Sequence, residues 1–207
     1  MKYRLVIFDF DGTLADSFPF FVRVFNQLAE KHGFKRIDPE LVPTLRHYTP
    51  RQMMELVEMP AWKLPFVASS FTSLMKQNAA SISLFDQVTD TLLYLVNNGV
   101  TIAIVSSNSY DNVSQVLGAE NVKLISQFEC GMSIFGKPAR IRKTLKKTGI
   151  PANEAIYIGD QITDLEAAHK VNVAFGAVAW GYGAIESLRE HSPKKEFHSV
   201  SEIRNIA

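Results

Sequence analysis

The sequence predicts an α/β fold in which a mostly parallel sheet is interrupted by an inserted all-helical module. Three observations predict it. The apolar runs Leu5–Phe8, Ile102–Val105 and Ile156–Ile158 are short, largely β-branched or aromatic, and apolar at consecutive positions, as strands buried on both faces are. Each run is followed by a helical pattern, and a repeating strand–helix unit builds a parallel sheet. From Ser17 to Leu84 there is little strand character, and about 65 residues are too many for an ordinary strand–helix connection, so this stretch forms a module of its own.

In chain order, the first strand breaks off at Asp9, and Asp11 and Gly12-Thr13 follow at once. Inside the module, Phe18, Phe21, Val22, Phe25, Leu28 and Ala29 recur at helical spacing, and Gly33 supplies a stop. Thr49 to Gln52 reads as a capping box with Pro50 at the first helical position. Phe66, Val67, Phe71, Leu74 and Met75 mark a further helix. Phe20, Tyr48, Met53, Met54 and Trp62 are expected in the core of the module, not in a pocket. Val88 to Val96 is a helix closed by Asn98-Gly99, and it leads into the second strand, which ends at Ser106. Pro138 opens a helix with a basic, solvated face that Gly149 ends. The third strand runs into Gly159-Asp160. Val173 to Val178 forms another, a shorter one lies around Phe197, and a last helix follows Ser201.

Composition narrows the function. Hydrophobic residues make up 46% and charged residues 21%, as in ordinary globular proteins. A net charge of +1 provides no single-sign field for nucleic acid or a membrane surface, so neither is expected as a partner. Ser17 to Leu84 holds eight Lys/Arg against five Asp/Glu, and the remainder fourteen against sixteen, a bias compatible with an anionic substrate. The lone Cys130 forms no internal disulfide, fits a reducing compartment and has no neighbour that would activate it. Asp9 cuts the N-terminal apolar segment too short for a signal peptide, and no stretch approaches the ~20 apolar residues that span a bilayer. The expectation is a cytoplasmic protein, monomeric or dimeric.

In open parallel sheets ligands bind beyond the carboxyl ends of the strands, near a topological switch point, so the polar strand ends are expected to converge in one crevice. Gly159 to Asp164 brings two further carboxylates, with Asp164 placed to complement a helix dipole. Four carboxylates in one crevice repel one another unless a cation lies between them, and oxygen ligands of this kind suit Mg²⁺. Asp9 can then act as a nucleophile on phosphorus, and Asp11 as general acid and base. Ser106, with Ser107 or Asn108, can donate to phosphoryl oxygens, and Lys137 can add positive charge. Arg46, His47 and Arg51 share one loop of the module. Arg46 or Arg51 is expected to pair a substrate carboxylate or a second phosphate.

These residues carry a resemblance. "DFDGTLADS", "IAIVSSN", Lys137 in "GKP" and "YIGDQITD" resemble, in order and over nearly the whole chain, the four motifs of the haloacid dehalogenase superfamily, with phosphoglycolate-phosphatase-like members the nearest in character. The resemblance implies a Rossmann-like catalytic core over residues 1–16 and 84–207 and a helical cap over 17–83. It implies Mg²⁺ held by the Asp9 and Asp160 side chains and the Asp11 backbone carbonyl, with Asp164 in support. It makes Asp9 the nucleophile and Asp11 the acid/base, and gives Gly12-Thr13 the task of turning the chain toward the cap. Dehalogenating members typically lack an acid equivalent to Asp11, so its presence argues against that reaction. Members that cleave phosphonoacetaldehyde need a cap lysine, and nothing marks Lys31, Lys35, Lys63 or Lys76 as desolvated. The second motif departs from the family in reading Ser-Ser-Asn where many members have Thr-Asn, which leaves open whether Ser107 or Asn108 meets phosphate. The implied activity is Mg²⁺-dependent hydrolysis of a small phosphorylated metabolite through an aspartyl-phosphate. The alternatives are a sugar phosphomutase of the same superfamily and a non-catalytic binding module.

Overall fold

Strand β1 (Leu5–Phe8) is the first element, and all four of its residues are buried. The structure, a computed structural model, describes residues 3–48, 50–131 and 136–207, without the side chains of Arg46 and Pro50. The Thr49 capping box and the expected Arg46 contact therefore lie outside the described residues.

After β1 come β2 (Ala15–Asp16) and three helices, α1 (Phe18–His32), α2 (Pro50–Leu56) and α3 (Leu64–Gln77), with a 3-10 helix over Pro39–His47 between α1 and α2. The chain then returns through β3 (Ser83–Leu84). Beyond it lie α4 (Val88–Asn97), β4 (Thr101–Ser106), α5 (Tyr110–Lys123, interrupted at Gly118), β5 (Gln127–Cys130) and α6 (Lys137–Thr148). The last elements are β6 (Ala155–Gly159), α7 (Ile162–His169), β7 (Ala174–Val178), α8 (Ile185–Arg189) and β8 (Lys195–Phe197).

Six strands form one parallel sheet in the order β5-β4-β1-β6-β7-β8. The order reverses on either side of β1, which makes its carboxyl end the switch point. Register aligns the ends: Phe8 lies opposite Ile104 on one side and Ile158 on the other. Side chains alternate faces along each strand. Val6, Phe8, Ile102, Ile104, Ile156 and Ile158 therefore pack together on one face, with Leu92 and Leu95 of α4 and Val113 of α5. Leu5, Ile7, Ala103, Val105, Ala155 and Tyr157 pack on the other, with Ile141 of α6, Leu165 and Ala168 of α7 and Leu188 of α8. Burial on both faces is why these strands read as unbroken apolar runs.

The segment between β2 and β3 is helical as expected, and α1 ends at Gly33. Phe20, Val24 and Leu28 of α1 join the sheet's core, whereas Phe25 builds a second small core with Ile37, Leu45 and Val57. Two expectations need correcting here. Trp62 lies at the surface, 67% exposed, and is not module core. The C-terminal helix is a run of 3-10 turns over Val200–Ile206. No helix among the described residues is long and apolar enough to cross a membrane.

Candidate active site

Asp9 continues β1 by one residue, its backbone N–H donating to the Ile158 carbonyl at 2.9 Å. The chain then folds into a tight turn. Leu14 and Ala15 both donate to the Phe10 carbonyl at 2.9 Å, and Gly12 donates to Ala15 at the same distance. Gly12 has φ +77°, and a Cβ there would stand 2.5 Å from Asp160 Oδ2, so both its conformation and its surroundings require glycine. This is the structural sense of Gly-Thr after the two aspartates. Gly12 makes the turn, and the Thr13 hydroxyl donates to Asp160 Oδ1 at 3.2 Å.

Asp160 leaves the end of β6, fully buried. Its second oxygen accepts the Tyr182 backbone N–H at 2.7 Å, from a loop that follows β7 and lies against it. A Cβ at Gly181 would fall 2.1 Å from Asp160 Cβ, so the loop closes over the carboxylate only because glycine is there. Asp164 sits in the first turn of α7 and caps it, accepting the Gln161 backbone N–H at 3.2 Å. Asp9, Asp160 and Asp164 each offer an oxygen, and these atoms all lie within 4.8 Å of one another. Lys137, the first residue of α6, places Nζ 2.9 Å from Asp9 Oδ2 and also bonds Asp164 Oδ1.

Three buried carboxylates thus face one ammonium. Burial raises the Asp9 pKa well above the carboxylate range; Lys137 draws it back, and Asp164 and Asp160 push it further up. Asp160 is raised by burial and by Asp164. Burial on its own would lower the Lys137 pKa, but Asp164 and Asp9 outweigh it and hold the ammonium above the usual lysine range. The excess negative charge and the all-oxygen donor set fit a hard divalent cation such as Mg²⁺, which Asp9, Asp160 and Asp164 would hold. Asp164 stands in this group as directly as the other two.

The Asp11 side chain stays apart from that cluster. Ser17 Oγ donates to its Oδ1 at 2.7 Å, and Asn108 Nδ2 donates to its Oδ2 at 2.9 Å. Ser17 has a single hydroxyl proton, so the Tyr182 hydroxyl 2.8 Å away is the donor to Ser17. Burial raises the Asp11 pKa, and the two donors partly offset it. Asn108 is fixed in turn: its backbone N–H donates to Ser106 Oγ at 3.1 Å, and its Oδ1 accepts from Ser109 N and Asn112 Nδ2. Ser106 is buried, while Ser107 is exposed. Arg140 of α6 braces this turn by donating to the Ser106 and Gly131 carbonyls. Burial pushes the Cys130 thiol up to about 12, away from the thiolate form.

Above these groups, a cavity of about 380 Å³ lies between the strand ends and the helical segment. Its acidic end is formed by Asp11, Asp160, Gln161 and Ser107, its far walls by α1 and α3. Tyr48, Met53 and Met54, expected in the module core, line it. Met53 also packs against the small core of Phe25, Ile37, Leu45 and Val57, two of which, Phe25 and Leu45, reach the cavity as well. Among the loop residues, His47 also lines the cavity, but Arg51 does not join them. Its side chain is 86% exposed and pairs one turn along α2 with Glu55 at 3.1 Å, a surface pair that turns it away from the site. The structure thus brings Asp9, Asp11, Ser106, Ser107, Asn108, Lys137, Asp160 and Asp164 together and leaves Arg51 outside. Reasoning from sequence missed Ser17 and Tyr182. The available signal was Gly181-Tyr182-Gly183, a glycine-flanked aromatic just past the predicted strand at Val173 to Val178.

The family model described as haloacid dehalogenase-like hydrolase matches residues 6–178. The phosphoglycolate phosphatase of Synechococcus elongatus is 29% identical over 201 residues, covering 97% of this chain and 95% of that one. A haloacid dehalogenase-like family hydrolase of known structure from Streptococcus pneumoniae superposes with TM-score 0.80 at 18% identity, over 98% and 97% of the two chains. CbbY from Rhodobacter sphaeroides, solved with phosphate, superposes with TM-score 0.72 at 18% identity, over 97% and 96%. At that identity the two solved structures establish a shared fold.

Proposed function

The chain belongs to the haloacid dehalogenase-like hydrolases, and on that premise we propose that it is a Mg²⁺-dependent phosphatase acting on a small phosphoric monoester through an aspartyl-phosphate at Asp9. One observation carries the reading. A carboxylate cluster with its own lysine sits beside a separate carboxylate, Asp11, at the acidic end of a cavity. Residues 17–83 act as the cap that closes this cavity over the core.

Bound Mg²⁺ would supply charge neutralisation for the phosphoryl oxygens and the attacking carboxylate. The chain's own groups do the rest. Lys137 favours the ionised form of Asp9 against its burial, and the Asp9 carboxylate attacks phosphorus, forming an acyl-phosphate bond as the bond to the leaving oxygen breaks. Asp11 gives its proton to that oxygen, and its raised pKa keeps a protonated fraction available for this. A water then attacks phosphorus, its proton passes to Asp11, and phosphate leaves Asp9 free. Ser107, at the acidic end of the cavity, would donate to a non-bridging oxygen, with Ser106 and Asn108 shaping its turn. A retained Asp11 also argues against dehalogenation, because a halide needs no proton.

The relatives' name makes 2-phosphoglycolate the first ester to assay. Phosphate release with Mg²⁺ is expected from at least one monoester, and chelation should stop it. Asp9→Asn should abolish turnover with the circular dichroism spectrum unchanged. Retention of more than a few per cent of wild-type activity would remove Asp9 from the role of nucleophile.

A further inference from the structure

Resting on the phosphatase reading, we infer that the leaving group is an uncharged alcohol with a substantial hydrocarbon part, so that alkyl or aryl phosphates, and not hydroxy-acid phosphates, are the preferred substrate class. Asp11, the group that would protonate the leaving oxygen, lines the cavity, so the alcohol portion must extend into that space. What it meets there is apolar. A run of rings leads inward from the catalytic turn: Phe18 and Phe21 lie 5.1 and 5.9 Å from the Tyr182 ring, and Phe71 lies 6.0 Å from Phe21. Val67 and Met54 continue the wall.

Charge points the same way. Among the described residues lining the cavity there is no lysine or arginine; besides His47 and the tyrosines, its titratable groups are the carboxyls of Asp11 and Asp160 at the acidic end. A substrate carboxylate held among the rings of Phe18, Phe21 and Phe71 would be desolvated with no lysine or arginine among the described lining residues, which is costly. Of the two arginines expected to pair it, Arg51 pairs with Glu55 at the surface instead, and the Arg46 side chain lies outside the described residues. A space of about 380 Å³ is also far more than a two-carbon acid fills, and it matches the lower range of pockets for larger apolar ligands.

The test is a series of methyl, ethyl, butyl and hexyl phosphates beside 2-phosphoglycolate, assayed by phosphate release with Mg²⁺. Leaving-group basicity is similar along the alkyl series, so Asp11 has the same task throughout. Each methylene moved from water into the cavity should raise kcat/KM up to about fourfold, and hexyl phosphate should exceed ethyl phosphate at least about tenfold. Ala68→Phe, which fills the space beside Val67, should flatten that slope. A flat or falling series in active wild-type protein overturns the inference. So does a preference of about tenfold or more for 2-phosphoglycolate over ethyl phosphate that Arg46→Ala removes. Calorimetric titration with methyl- and hexylphosphonate separates this from the phosphatase reading. Tighter binding of hexylphosphonate without turnover of any ester would refute the phosphatase and uphold the apolar cavity. Equal binding of the two phosphonates would refute the cavity's preference.

Discussion

Replacing Ser17 with alanine removes one of two donors to Asp11 while leaving every group in the carboxylate cluster in place. The lost bond is 2.7 Å from Ser17 Oγ to Asp11 Oδ1, inside a buried turn. A hydrogen bond to a charged group contributes about 1.5–3 kcal/mol, and about 1.4 kcal/mol corresponds to one pKa unit. The donor favours the ionised carboxyl, so its loss makes that form harder to reach and the Asp11 pKa rises, by about one to two units. Transfer to Asp9 requires Asp11 protonated, so the alkaline limb of the kcat/KM profile should move to higher pH by that amount. The assay is kcat/KM for an alkyl phosphate from about pH 5 to about pH 9, with an aryl phosphate of low leaving-group pKa as the control that needs little acid help. Tyr182→Phe removes only the donor to Ser17, so its shift should be smaller. An alkaline limb unmoved within about 0.3 unit in a folded Ser17→Ala protein would refute the assignment of Asp11 as the proton donor.

Two further perturbations test the geometry elsewhere. Gly12→Ala combines a left-handed backbone, about 1–2 kcal/mol, with contacts of 2.5 Å to Asp160 and 2.7 Å to Tyr182, about 1–3 kcal/mol. At about 2–4 °C per kcal/mol for a chain of this size, melting should fall by roughly 4–20 °C, and a change under about 2 °C in a thermal scan would contradict the packing described. Arg51→Ala should leave KM within about twofold and stability within about 0.5 kcal/mol, because an exposed i,i+4 pair contributes little. A tenfold rise in KM would return Arg51 to the site.

The sheet was legible because β1, β4 and β6 are buried on both faces and write that burial as continuous apolar runs. Strand β5 was not. It lies at the sheet edge and carries Glu129, buried there by ion pairs to Lys143 and Lys147 of α6, partners that a local window does not include. In the site, Asp9, Asp11, Lys137, Asp160 and Asp164 stand at strand ends or helix starts, where position alone suggests convergence. Ser17 and Tyr182 acquire their roles only by meeting across the fold, 2.8 Å apart, and no local pattern announces that meeting. Arg51 failed for the complementary reason: a sequence shows that a charge is present, and only the helix shows which way it points. For Met53 and Met54, hydrophobicity could not distinguish a filled interior from a lined cavity, because the same chemistry serves both.

The chain departs for the helical segment and comes back from it through one narrow ribbon, Ala15–Asp16 paired antiparallel with Ser83–Leu84. That ribbon lies beside the candidate site. Ser17 is the first residue on its far side, yet its hydroxyl reaches back to Asp11 on the near side. Any tilt of the helices about the ribbon would carry that donor with it, and so alter how readily Asp11 parts with its proton. On the proposed reading, the placement of the cap and the acidity of the proton donor would be linked through the same joint.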